Sequence, residues 1–174
     1  MITTRRGDSG KTDLLFGRRV AKTDLRIEAV GACDEFMSAL GLARAASAND
    51  ARQDAVKAIQ KDLIMIMGAI AGAPDGDEAP HRKIPLLDPE RLTWLDAGVA
   101  ALENDQPPVT DWVLPGANPE SAAFDFSRTA ARRAERALLA LDPPIAGGPI
   151  AIYLNRVSDY LWLLARAVER ETAD

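Results

Sequence analysis

Three arginines and a glutamate recur at helical spacing in the second half of the chain: Arg128, Arg132, Glu135 and Arg136. At 100° per residue they lie within about 100° of arc on one face of a helix, opposite Phe126, Ala130, Ala134, Ala137 and Leu141. Guanidinium forks match phosphate oxygens, so this face could hold a polyphosphate; it could also be a solvated, salt-bridged surface. Arg133 points about 140° away from Arg128 and need not share its role. Further on, Asn155, Asp159, Trp162 and Arg166 form a second polar stripe, opposite Val157, Leu161, Leu164 and Val168. Asn155 can donate and accept hydrogen bonds, which suits a base or ribose, or it can be a helix-start residue bonded to nearby backbone. Asp34 is either a surface charge or a buried partner for an arginine. Its small neighbours favour burial, and a buried carboxylate needs a cation.

Near the N-terminus, Gly7-Asp8-Ser9-Gly10-Lys11-Thr12 could fold backbone N–H groups around a phosphate chain. It looks like the end of a Walker A loop. A P-loop, however, needs glycine where Arg5 stands and a buried strand before it, for which the preceding residues leave little room. The P-loop is therefore rejected. What remains is Arg5, Arg6 and Lys11, followed by Arg18, Arg19 and Lys22, around glycine turns; the alternative is a frayed basic terminus. The apolar, helix-breaking stretch Trp112-Val113-Leu114-Pro115-Gly116-Ala117 predicts a packed loop leading into the ionic helix. Such a tryptophan is more often core, although a large flat ring beside an anion-binding helix could wall a planar ligand.

Composition narrows the chemistry further. A single cysteine, Cys33, and a single histidine, His81, exclude an intrachain disulfide, cysteine-rich metal sites and multi-histidine metal sites. Arg, Lys, Asp, Glu and Asn must do most of the work. With a net charge of −5 and a pI near 5.0 there is no overall positive field to attract nucleic acid, so any anion site must be local. No apolar run approaches the ~20 residues of a membrane span, and Met1-Ile2-Thr3-Thr4-Arg5-Arg6 lacks a signal-peptide apolar region. The expectation is a soluble cytoplasmic protein with neither membrane nor nucleic-acid partner.

The elements that must position these residues are helices. At 174 residues and 47% apolar content, the chain fits one domain. Residues 1–25 read as loop or short extended structure, and 26–172 as a helical bundle. Helices are predicted over about 27–46, 50–72, 88–103, 118–141 and 150–170. The first carries a small-residue stripe, Gly31, Asp34, Ser38, Gly41 and Ala45, that would admit another helix closely. In the second, Val56, Ile59, Leu63, Ile66, Met67 and Ile70 share a core-facing side. Asp88 before Pro89-Glu90, and Asn118 before Pro119-Glu120, are N-cap signals, and 74–85 has the composition of an exposed loop. The fold class expected is all-α: an antiparallel five-helix bundle with an irregular N-terminal loop.

Taken in order along nearly the whole chain, these segments resemble the PduO-type ATP:cob(I)alamin adenosyltransferases. The resemblance is carried by Gly7-Asp8-Ser9-Gly10, Gly17-Arg18-Arg19-Val20 with Lys22, Glu28-Ala29-Val30-Gly31 with Asp34-Glu35, and Leu114-Pro115-Gly116. Arg128, Arg132-Arg133-Ala134-Glu135-Arg136 and Tyr153-Leu154-Asn155-Arg156-Val157-Ser158-Asp159 complete it. It implies a homotrimer with active sites between neighbouring subunits. It also implies transfer of the 5′-deoxyadenosyl group of ATP to the cobalt of a reduced corrinoid, with release of triphosphate. By matching position, Thr4, Arg5, Gly7, Asp8, Thr12 and Lys22, with Arg132, Arg133, Glu135, Arg136 and Asn155, would bind ATP and Mg2+. Arg132, Arg128 and Asp34 would carry catalysis, Asp34 and Arg128 pairing near the cobalamin. Trp112 stands where the family usually has phenylalanine, whose ring closes the lower corrin face. Arg6, Lys11 and Ala117 depart from the family's usual residues. A reductase and a cobalamin-dependent mutase are the implied partners, and a noncatalytic carrier on the same fold is the alternative. Reduced cobalt is itself the nucleophile, so this chemistry suits a chain nearly devoid of histidine and cysteine.

Overall fold

The computed structural model describes residues 5–73, 87–106, 110–141 and 148–172. Thr4, His81, the predicted 74–85 loop, Pro107, Pro108 and most of the break before the last helix lie outside the described residues. Five helices carry the fold: α1 (Leu25–Ala46), α2 (Asp50–Gly72), α3 (Pro89–Asn104), α4 (Pro119–Leu139) and α5 (Pro149–Glu171). Their starts are set locally. The side chains of Asp24, Asn49, Asp88 and Asn118 each accept a first-turn backbone N–H, which stabilises a helix start by about 1 kcal/mol. Proline in the first turn of α3, α4 and α5 presets the helical φ without losing an intrahelical bond.

Successive helices reverse direction. Arg44 and the Met37 carbonyl of α1 both meet Gln60 of α2, and the α1–α2 corner is tied by Gln53 donating to the Ser47 carbonyl. On the other side, Arg166 and Asn155 of α5 meet Asp125 and Glu135 of α4, in opposite chain order. α4 packs between α1 and α5, and α3 lies against α5. Phe36, Leu40, Ile59, Leu63, Ile66, Leu95, Phe124, Leu154 and Leu161 are fully buried between them. Burying each such side chain contributes roughly 1.5–3 kcal/mol. One polar cluster crosses this core. Asp62 of α2 accepts both a 2.5 Å bond from Tyr153 of α5 and bonds of 2.9–3.0 Å from Arg91 of α3. Burial together with the neighbouring carboxylate pushes the Tyr153 hydroxyl far above its ordinary range, so it stays a donor.

The described N-terminal residues form a hydrogen-bonded hairpin, against the frayed-terminus alternative. β1 (Lys11–Asp13) and β2 (Arg19–Ala21) pair antiparallel with Thr12 opposite Val20. This strand follows the glycine turn rather than preceding it, the reverse of a P-loop. A 3-10 turn at Leu15–Gly17 joins the strands, with Phe16 and Gly17 both at positive φ (62° and 79°). The hairpin is anchored by buried Leu14 and by the Arg18 guanidinium, which donates to the Ala73 carbonyl just past α2.

Two expected faces turn out differently. The small-residue stripe of α1 points outward, with Gly31, Asp34, Ser38 and Ala45 exposed, because Ala29, Ala32, Cys33, Phe36, Ala39, Leu40 and Ala43 fill the contact with α2 and α4. Phe126, expected in the core, is 50% exposed. α4 is clasped between α1 and α5, which centres its buried arc on Ser127, Ala131, Ala134 and Leu138 and rotates Phe126 out.

Candidate functional site

The outward face of α4 separates into two kinds of arginine. Arg132 and Arg136, on the last turns of the helix, are exposed, and neither has an ion pair or side-chain hydrogen bond among the described residues. Between them, Glu135 accepts a 3.1 Å bond from the Asn155 amide on α5. Asn155 lies well inside α5 and reaches another helix, so it is not the local backbone-bonding residue of the bland reading. Arg133 turns toward α1 and pairs with both Glu28 (3.4 Å) and Glu35. It is therefore a bundle contact within one chain, in keeping with its different helical angle.

The N-terminal turn lies beyond the same end of the bundle, since β2 runs almost directly into α1, whose first turns face the C-terminal half of α4. Backbone bonds from Asp8 to the Arg5 carbonyl and from Gly10 to the Gly7 carbonyl curl the segment, and Lys22 N–H closes it on the Gly10 carbonyl. Gly7 lies close to the Lys22 side chain: a Cβ there would come within 3.1 Å of the Lys22 Nζ, so the lysine would have to shift slightly. Arg5, Lys11 and Lys22 are exposed cations. The remaining basic residues of the expected cluster are otherwise engaged. Arg6 and Arg19 converge on Asp13 at 3.2 and 3.4 Å, and Arg18 holds the end of α2. Among the described residues, no hydrogen bond or ion pair links Arg5, Asp8, Thr12 or Lys22 to Arg132 or Arg136; the backbone bonds of Arg5, Asp8 and Lys22 stay within the hairpin.

At the opposite end of α4 an open cavity of about 470 Å³ lies between the 110–115 loop and helices α4 and α5. Trp112, Val113 and Pro115 form one side; Asp125, Arg128, Trp162 and Arg166 form the other. The loop is not packed as expected. Trp112 is 99% exposed and Leu114 is 86% exposed, since the chain turns outward at Gly116 (φ 110°) before the Asn118 cap. Trp112 thus has no core role within the chain; it stands at the cavity rim. Below it, the Asp125 carboxylate, 3% exposed, accepts from Arg128 at 3.3 Å and from Arg166 at 2.5 Å. Arg166 also pairs with Glu169 and stacks its guanidinium 5.7 Å from the Trp162 ring.

Arg128 therefore takes Asp125 as its partner inside the chain, whereas Asp34 is exposed on α1. The expected burial of Asp34 is not met in one subunit. Asp125 is the residue sequence reasoning missed; an acid three positions before an arginine, i to i+3 on one helix, was the available signal. Among the described residues, no group of three or more His, Cys, Asp or Glu could hold a metal ion, and no helix is long and apolar enough to cross a membrane.

The cobalamin adenosyltransferase family profile matches residues 2–168. The chain belongs to this family. A corrinoid adenosyltransferase of Mycobacterium leprae is 41% identical over 175 residues, covering 95% of this chain and 89% of the relative. The corrinoid adenosyltransferase PduO of Citrobacter freundii is 35% identical over 171 residues, covering 98% of this chain and 50% of the relative. The chain spans about half the length of the PduO relatives it matches. Among solved structures, a variant PduO-type ATP:corrinoid adenosyltransferase from Lactobacillus reuteri, complexed with cobalamin and ATP, aligns with a TM-score of 0.88 at 26% identity. That alignment covers 99% of this chain and 93% of the other. Fold and family agree: this cobalamin adenosyltransferase family member has the five-helix architecture that the resemblance implied.

Proposed function

We propose that this family member transfers the 5′-deoxyadenosyl group of ATP to the cobalt of a reduced corrinoid and releases triphosphate. The observation that carries the reading is the pair of exposed guanidiniums of Arg132 and Arg136, without partners among the described residues, flanking the Glu135–Asn155 contact. Their charge matches the leaving tripolyphosphate, and on this reading Asn155 and Glu135 meet the nucleoside. Cobalt(I) attacks the ribose 5′-carbon in line with its departing oxygen. The metal's electron pair forms the cobalt–carbon bond, and the electrons of the broken C–O bond leave with triphosphate. No side chain is needed as nucleophile or base. The protein's task is to align two reactants and to stabilise the departing charge.

The N-terminal turn supplies the second half of the nucleotide site from a neighbouring subunit of a homotrimer. Arg5, Gly7, Asp8, Thr12 and Lys22, with Thr4, close over the phosphates presented by Arg132 and Arg136, while Arg133 braces α1 behind them. In the same assembly the exposed Asp34 of one subunit meets Arg128 of the next. Magnesium arrives with ATP, its ligands chiefly phosphate oxygens and water, as magnesium favours. The corrinoid occupies the cavity at the other end of α4, with Trp112 over its lower face, where an apolar wall displaces the axial base and leaves a cobalt(II) that is easier to reduce. A reductase supplies the electron and a cobalamin-dependent mutase takes the product. The lone, buried Cys33 suits a cytoplasmic setting.

A single-turnover assay with ATP and chemically reduced cobalamin tests this. The expected result is a cobalt–carbon bond and one triphosphate per site. Tight binding of both ligands without that bond would identify a carrier instead, and failure to bind either would remove the reading.

A further inference from the structure

Asp125 occupies a position in the cavity floor that no part of the proposed reaction has yet used. It is almost fully buried, lies on α4, and reaches two guanidiniums from two helices with different oxygens. Oδ1 accepts from Arg128 Nε at 3.3 Å, and Oδ2 accepts from Arg166 Nη2 at 2.5 Å. Arg166 is itself 5% exposed and has Glu169 as its second partner. Within the chain the charges of Arg128, Arg166, Asp125 and Glu169 cancel, and Asp111 also lines the cavity; neutralising Asp125 makes the floor more positive by one charge whatever the other groups contribute. A buried carboxylate could pair with one arginine for stability alone. Bridging the half-exposed Arg128 and the buried Arg166 across a ligand-sized opening fixes two directed donors at the cavity wall.

Resting on the corrinoid reading above, we propose that Asp125 is a positioning and charge-balancing residue of the cavity. It holds Arg128 and Arg166 in place and cancels their charge, so that the cavity accepts a cobalt(II) corrin. The corrin ring is a monoanion; cobalt(II) leaves metal and ring with one positive charge, and cobalt(I) leaves them neutral. A floor with excess positive charge would therefore disfavour the cobalt(II) form in particular, and a floor with excess negative charge would favour it. The charge of the floor sets how the cavity discriminates between the two oxidation states.

The test compares wild type, Asp125→Asn, Asp125→Glu and Arg128→Gln in the assembled protein. The measurements are cob(II)alamin titration, ATP titration, the midpoint of the bound cobalt(II)/cobalt(I) couple and thermal unfolding. Asp125→Asn is expected to weaken cob(II)alamin binding at least tenfold, to leave ATP binding within twofold and to move the midpoint to more positive potential. Asp125→Glu restores the midpoint, and Arg128→Gln, which removes a cation, moves it the other way. Unchanged midpoints, or shifts of Asp125→Asn and Arg128→Gln in the same direction, would overturn the proposal. Should Asp125→Asn not fold, the direction of the Arg128→Gln shift decides alone. A wild type that does not bind cob(II)alamin would sink the corrinoid reading, and this proposal with it. A wild type that binds, with variants lacking the opposed shifts, would sink this proposal only.

Discussion

The two ends of α4 carry arginines of the same chemical type in opposite states. At its N-terminal end Arg128 is paired with Asp125, which also holds the buried Arg166 of α5. At its C-terminal end Arg132 and Arg136 project into solvent, with no counter-charge among the described residues. A paired arginine is held by the fold and contributes to it, and its removal strands a buried carboxylate. An exposed arginine with no partner among the described residues adds little to folding and repels its like; under the proposed reading it meets an anion from outside. The contrast separates residues that build the bundle from those the proposed reading assigns to a ligand, on one continuous helix.

The largest effect expected is at the paired end. Arg166→Ala leaves Asp125 buried with only Arg128, and should lower unfolding free energy by about 3 kcal/mol, read by denaturant titration. A change below about 1 kcal/mol would mean the pair is solvated and the contrast false. At the unpaired end the outcome should invert. Arg132→Ala should leave thermal unfolding unchanged while lowering kcat/KM for ATP by at least ~2 kcal/mol, about thirtyfold, the scale of a lost charge-assisted contact. Wild-type kinetics would move the triphosphate elsewhere.

The intermediate case is Arg133, half-exposed and bound to the exposed Glu28 and Glu35. Arg133→Ala should cost less than ~1 kcal/mol of stability, by double-mutant cycle with Glu35→Ala. The smallest effect lies at the Arg52 junction, where Arg52 binds Glu171 at 2.7 Å and Glu120 at 3.0 Å. The hydrogen bond from Arg52, against a smaller opposing effect of burial, holds the Glu171 carboxyl below its usual range. A carboxyl whose folded value is depressed contributes stability above its unfolded value and loses it as pH falls through the folded one. Melting temperatures should therefore drop below about pH 4.5, and Glu171→Gln should flatten a part of that drop while leaving neutral pH nearly unaffected.

The helices were readable because their signals are local. Asp24, Asn49, Asp88 and Asn118 cap within three residues of the groups they satisfy, and the Val56–Ile70 stripe needs only helical period to place it. The sides of those helices were less readable, since a helix's buried arc depends on which neighbours clasp it. Phe126 and Asp34 both turned outward for that reason. Arg132 and Arg136 could be grouped from spacing alone, whereas the bond from Asn155 to Glu135 could not, because it depends on tertiary geometry. Asp125 went unnoticed for a similar reason. Its partner Arg166 is 41 positions away on another helix, and only packing brings the two together.

The Arg18 guanidinium, tied to a carbonyl at the end of α2, has a consequence for how the nucleotide is captured. The latch fastens the hairpin to the scaffold before any substrate arrives, so the turn proposed to meet the phosphates would lose little conformational entropy on engaging them. On the proposed reading, a cation committed to backbone would sharpen the grip of its neighbours: one arginine stiffens the jaw for the others to close.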